Sequence, residues 1–87
     1  MTYYVIEINK EKSGTPSQGI FLVEKTGTTT DVEYLEKAKS QWHGSCASAG
    51  ANTNLEFWCR TLVDETMQVI AKDISQFETE TEEETNS

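Results

Sequence analysis

The residues best placed to do chemistry are Trp42-His43-Gly44-Ser45-Cys46, where an imidazole and a thiol stand three positions apart. On a helix that spacing lets the two side chains touch, as a thiolate and its general base must. No neighbouring residue orients the imidazole, and Cys46 falls on an apolar helix stripe, so the competing account is a buried cysteine beside a surface histidine. A metal site needs three or four ligands, whereas one His with Cys46 and Cys59 offers no paired spacing. Asp64 and Glu65 are adjacent on a turn and point apart. Gly14, Gly19 and Gly27 lack the spacing of a phosphate loop. The sequence therefore leads us to expect no enzyme, no catalytic residues, no metal and no cofactor. Trp42, His43 and Cys46 remain a candidate ligand pocket between helix and sheet.

The elements that would carry these residues follow from periodicity. Residues 3–8 are β-branched and aromatic and alternate, with Tyr4, Ile6 and Ile8 on one face. After a long turn-rich loop over residues 10–18, residues 19–25 give a second strand and complete a hairpin. Thr and Asp residues at positions 28–31 offer helix N-caps, and Leu35, Ala38, Trp42, Cys46 and Ala49 then recur at helical spacing. Gly44 costs about 1 kcal/mol against Ala in a helix. The helix could thus end near Trp42 or run on through the small residues to Gly50, and we take it to continue. Residues 55–63 and 67–74 form a second hairpin across Asp64-Glu65-Thr66. The expected fold is α+β, ordered ββαββ: a four-stranded antiparallel sheet of two hairpins with one helix on one face. The domain spans residues 1–77, followed by a disordered acidic Glu/Thr tail at 78–87, which buries nothing to offset its ordering entropy.

The formal charge of −8 sits mainly in that tail. Five of the fifteen acids are Glu78, Glu80, Glu82, Glu83 and Glu84, so residues 1–77 carry ten acids against seven bases. With the bases scattered, no direct nucleic-acid binding is expected. No apolar run approaches the roughly 20 residues of a membrane span, and Glu7 interrupts the first apolar stretch where a signal peptide would continue. Two cysteines do not make a secreted disulfide scaffold, so a cytoplasmic protein with reduced thiols is expected.

One helix covers only one face of a four-stranded sheet, and the other should then be polar. Here both parities are apolar. If Tyr4, Ile6, Ile8, Phe57 and Cys59 face the helix, the open face receives Tyr3, Val5, Trp58, Leu62 and Ile70, with Ile20 and Leu22 or Phe21 and Val23 beside them. A contiguous apolar patch of that kind marks an interface, and the expected occupant is a second copy or a host protein. The competing account covers the face with the loop over residues 10–18 or with Ser75-Gln76-Phe77.

The opening Tyr3-Tyr4-Val5-Ile6-Glu7-Ile8, a second strand, the Trp42-His43 pair followed by small residues to Ala49, and a closing hairpin are together similar to a group of small uncharacterised accessory proteins of gut bacteria and their phages. The likeness covers residues 3–74. It implies a mobile-element accessory protein, one version being an inhibitor of a host defence or nucleic-acid enzyme. Two functions from different classes are carried forward: a non-enzymatic protein–protein interaction module, and a small-ligand or nucleotide-binding protein with its pocket near His43.

Overall fold

The computed structural model describes residues 1–75; the acidic tail over residues 78–87 lies outside them. The order is β1 (Tyr3–Glu11), β2 (Ser17–Leu22), α1 (Asp31–Ala51), β3 (Leu55–Asp64) and β4 (Val69–Ile74). The strands form one antiparallel sheet ordered β2-β1-β3-β4. The fold is α+β and ββαββ, as the periodicity predicts. β1 runs to Glu11 and β2 starts at Ser17, so the first hairpin turns more tightly than the expected loop.

α1 is capped by Thr30, whose hydroxyl accepts the Glu33 N–H at 3.1 Å. The Glu33 carboxylate reaches back to the N–H and hydroxyl of Thr29, both at 2.8 Å, satisfying N-terminal donors as a capping box does. The helix continues past Gly44 to Ala51 because Trp42, Cys46 and Ala49 anchor it on either side of the glycine. A Cβ built at Gly44 meets nothing within 4 Å. Gly44→Ala is therefore expected to raise the unfolding free energy by about 1 kcal/mol, read as a higher urea midpoint with unchanged slope.

α1 packs over the two central strands, β1 and β3. Between helix and sheet, Tyr34 and Ala38 of α1 meet Tyr3, Val5, Val23 and Leu62, with Leu35, Trp42 and Ala71 packed against them. Tyr34 joins helix to sheet: its hydroxyl donates to the Val23 carbonyl at 2.6 Å and accepts the Tyr3 N–H at 3.1 Å. Its ring lies 4.9 Å from that of Tyr3. One phenol thus satisfies two backbone groups at the end of the β1–β2 ladder, where both would otherwise be buried and unpaired.

The turn between β3 and β4 is built on Asp64, whose carboxylate accepts from the Thr66 N–H and hydroxyl and from the Gln68 N–H. The Thr66 hydroxyl, followed by those N–H groups, holds the Asp64 carboxyl below its ordinary value. The Thr29 groups do the same for Glu33. A depressed carboxyl stabilises the fold fully above its unfolded pKa and loses that contribution as pH falls through the folded value. Stability is accordingly expected to fall below about pH 4. Asp64→Asn and Glu33→Gln should each flatten the dependence of the urea midpoint on pH there.

Met67 in the same turn has φ 68°, a left-handed conformation that costs a side-chain-bearing residue about 1–2 kcal/mol. Its side chain is exposed. Met67→Gly is expected to raise Tm for that reason.

Candidate functional site

The placement of the sheet's two faces corrects the expected surface. Tyr3, Val5 and Leu62 are not on the open face; they are buried under α1, Val5 and Leu62 completely. Trp58 lies on the same side, half-buried, its ring 3.8 Å from where a Cβ on Gly50 would stand. Ile70 is the extra residue of a bulge in β4, where Leu62 pairs with Ala71 and Val63 with Val69. It is partly exposed at the sheet edge.

The physical reason for the inversion is a charged cluster beneath the helix. Arg60 is only 6% exposed. Its Nε donates to Ser45 Oγ at 2.7 Å and lies 3.6 Å from Glu7 Oε2. Its Nη1 donates to Asn9 Oδ1 at 2.8 Å and to the Ile8 and Cys59 carbonyls. Ser45 also donates to Glu7 at 2.8 Å, and the Trp42 indole N–H donates to the Arg60 carbonyl at 3.1 Å. A buried charge is tolerated when paired and hydrogen-bonded. This network lets Glu7 and Arg60 share the helix side with Tyr3, Val5 and Leu62.

The open face consequently carries the opposite residues. Following the register across β2, β1, β3 and β4, its rows are Leu22, Tyr4, Val63, Val69; then Ile20, Ile6, Thr61, Lys72; then Gln18, Ile8, Cys59, Ile74. Among the described residues only Gln18, Thr61 and Lys72 interrupt the apolar rows and no acid lies on them, and within the rows Val63 and Cys59 are themselves buried. The first hairpin's turn does not cover its outer columns, where Ile20 (55%), Leu22 (46%), Val69 and Ile74 remain exposed; Gln76 and Phe77, the other expected cover, lie outside the described residues. Strand spacing of about 4.8 Å and a rise of about 3.4 Å per residue give it a projected area on the order of 400 Å². Its exposed apolar part lies chiefly in the outer columns, at Ile20, Leu22, Val69 and Ile74, and exposed apolar patches on monomeric proteins are often functional.

Among the described residues Trp42, His43 and Cys46 are turned to different surroundings rather than to one common cavity. Trp42 is spent on Arg60, His43 is exposed on the outer side of the helix, and Cys46 is buried. Burial, followed by the Asp73 charge, pushes the Cys46 thiol up, away from the thiolate a nucleophile requires. Cys46 is expected to resist an alkylating reagent under native conditions and to react on unfolding.

A cleft of about 470 Å³ does open elsewhere, between the first hairpin's turn and the end of α1, lined by Asn9, Glu11, Thr15, Ser17, Ser48 and Asn52 with Arg60 at its side. Arg60 was missed as a site residue because a lone arginine in a strand reads as solvent-facing. The signal that could have found it is the matching parity of Glu7 and Arg60, which pair directly in the β1–β3 register.

Among the described residues no three His, Cys, Asp or Glu side chains gather to hold a metal, and no helix is long and apolar enough to cross a membrane. Comparison with protein-family models, curated proteins and solved structures returned no match.

Proposed function

We propose that this protein is a non-enzymatic interaction module that buries its open sheet face against an apolar surface of a host protein. The observation that carries the reading is the face itself: nine of the twelve positions in its three rows are apolar, with Lys72 as the charge among them. A solvent-facing antiparallel sheet is normally polar on that side. Among the described residues no acid lies on the face beside Lys72, which favours a partner that presents a carboxylate beside its apolar patch. The resemblance over residues 3–74 supports a mobile-element accessory role, with inhibition of a host defence or nucleic-acid enzyme as its concrete form.

Ile6→Lys and Val69→Lys place charge on the face without entering the core beneath α1. The wild type should retain one defined polypeptide from host extract, and both variants should lose it while keeping the wild-type circular dichroism. Equal recovery by wild type and variants would overturn the reading. The small-ligand reading would have to use the Arg60 cleft instead. Thermal melts against a nucleotide and metabolite panel separate the two, and no shift in Tm is expected with any member.

A further inference from the structure

We propose that two copies of this chain pair antiparallel through their β2 edges, with Ile20 on the two-fold axis, to make one eight-stranded sheet. The inference goes beyond the open-face reading and does not depend on it, because it rests on the edge of β2 rather than on the face.

The two edges of the sheet differ. β4 carries a bulge and the charges of Lys72 and Asp73, devices that discourage strand addition. β2 reads Ser-Gln-Gly-Ile-Phe-Leu, without a charge, a proline or a bulge, and every residue in it is exposed. α1 lies over β1 and β3, so even Phe21, on the helix side of β2, stays 37% exposed. A strand bare on both faces and at its edge lacks a neighbouring strand rather than a cover.

The hydrogen-bond phase defines what that neighbour must be. Val23 N–H donates to the Tyr3 carbonyl at 2.9 Å, which makes Tyr3 and Val23 a hydrogen-bonded pair. By alternation Phe21, Gly19 and Ser17 turn their backbone groups toward β1, and Leu22, Ile20 and Gln18 turn theirs outward. With Ile20 opposite Ile20 of the second copy, Gln18 meets Leu22 on either side, and all the outward donors and acceptors of the strand are paired at once. The same register sets Phe21 opposite Gly19 of the second copy. A Cβ at Gly19 would meet nothing within 4 Å, so the glycine leaves open the space that an aromatic ring on the facing strand covers. The match is made twice, as an isologous interface requires.

Sedimentation velocity over a concentration series should show the full chain at twice its monomer mass of 9.8 kDa. Ile20→Pro removes only an outward N–H, a position where an edge strand accepts proline. It should weaken association at least tenfold with circular dichroism unchanged. Should Ile20→Pro not fold, Ile20→Lys brings two ammonium groups together at the axis and should give the same loss. Ile20→Cys should form a covalent dimer under mild oxidation, whereas Phe21→Cys should not. A wild type that is monomeric throughout overturns the proposal, as does a dimer that survives Ile20→Pro or Ile20→Lys. Cross-linking through Phe21→Cys alone would overturn the register. Val69→Lys keeps the two readings apart: it should remove partner binding and leave the dimer intact. A dimer lost with Val69→Lys and kept with Ile20→Pro would move self-association to the open face.

Discussion

Leu62→Ala is expected to lower the unfolding free energy by about 2–5 kcal/mol, the cost of emptying a fully enclosed leucine site. Leu62 has no exposed surface and sits in the cluster with Val5, Tyr34 and Ala38. A domain of this length has a total stability of roughly 4–13 kcal/mol, so the variant should show a large drop in urea midpoint and partial unfolding at 37 °C. The matched control is Leu22→Ser, an equally apolar residue that is 46% exposed on the other side of the sheet. Surface changes of that kind stay within about 0.5 kcal/mol. The pair of midpoints separates the two face assignments directly: if the helix lay on the other side, the large effect would move to Leu22 and the other open-face residues of the outer strands.

The second large effect is expected at Arg60. Arg60→Met keeps much of the side chain's volume but removes the donors that Ser45, Asn9 and two strand carbonyls accept. Removing one partner of a fully buried pair costs about 3–5 kcal/mol, and because the Glu7 side chain is 35% exposed the loss here is expected below that range. Part of that loss comes from Glu7, left beside Ser45 without its counter-charge. Glu7→Gln retains an acceptor for Ser45 and should cost less. In the double variant Glu7→Gln/Arg60→Met the destabilisation should be smaller than the sum of the singles, since the second change no longer strands a charge. Additive losses in urea titrations would show that the two side chains act independently.

These two residues also explain how much could be read from the chain. The element order, the capped helix start at Thr30 and the stripe Ala38, Trp42, Cys46, Ala49 follow from periodicity and cap chemistry, and the structure has them. The existence of a surplus apolar face was legible too, because β1 and β3 are apolar at both parities. Which face it is was not legible. Glu7 breaks the odd-numbered run of β1 and Arg60 breaks the even-numbered run of β3, so pattern alone assigns those runs to solvent. In the fold the two breaks pair with each other beneath α1, and the cost of burying Arg60 is offset by Glu7 together with Ser45, Asn9 and two strand carbonyls. Such compensation is a contact between distant residues and leaves no trace in either strand's own alternation. Tyr34 was passed over for Leu35 for a related reason: its hydroxyl reads as polar until it meets the Tyr3 N–H and the Val23 carbonyl. The candidate pocket near His43 relied on sequence spacing alone, and the helix turned its members to different sides.

The placement of β1 between β2 and β3 bears on how the chain reaches this state. β1 can form its hairpin with β2 early, since the partners are near in sequence, but its other ladder joins Tyr3 to Asp64 and Val5 to Leu62. Closing so long a loop must precede the contacts that reward it, which makes such pairings slow relative to local ones. During synthesis the first hairpin therefore emerges with a free edge on both of its strands, and the apolar groups of β1 have no cover until α1 and β3 have left the ribosome. The last residues of β3 bring Leu62 into the core beneath α1, so the core does not begin to close until that segment has emerged, and β4 with Ala71 follows it.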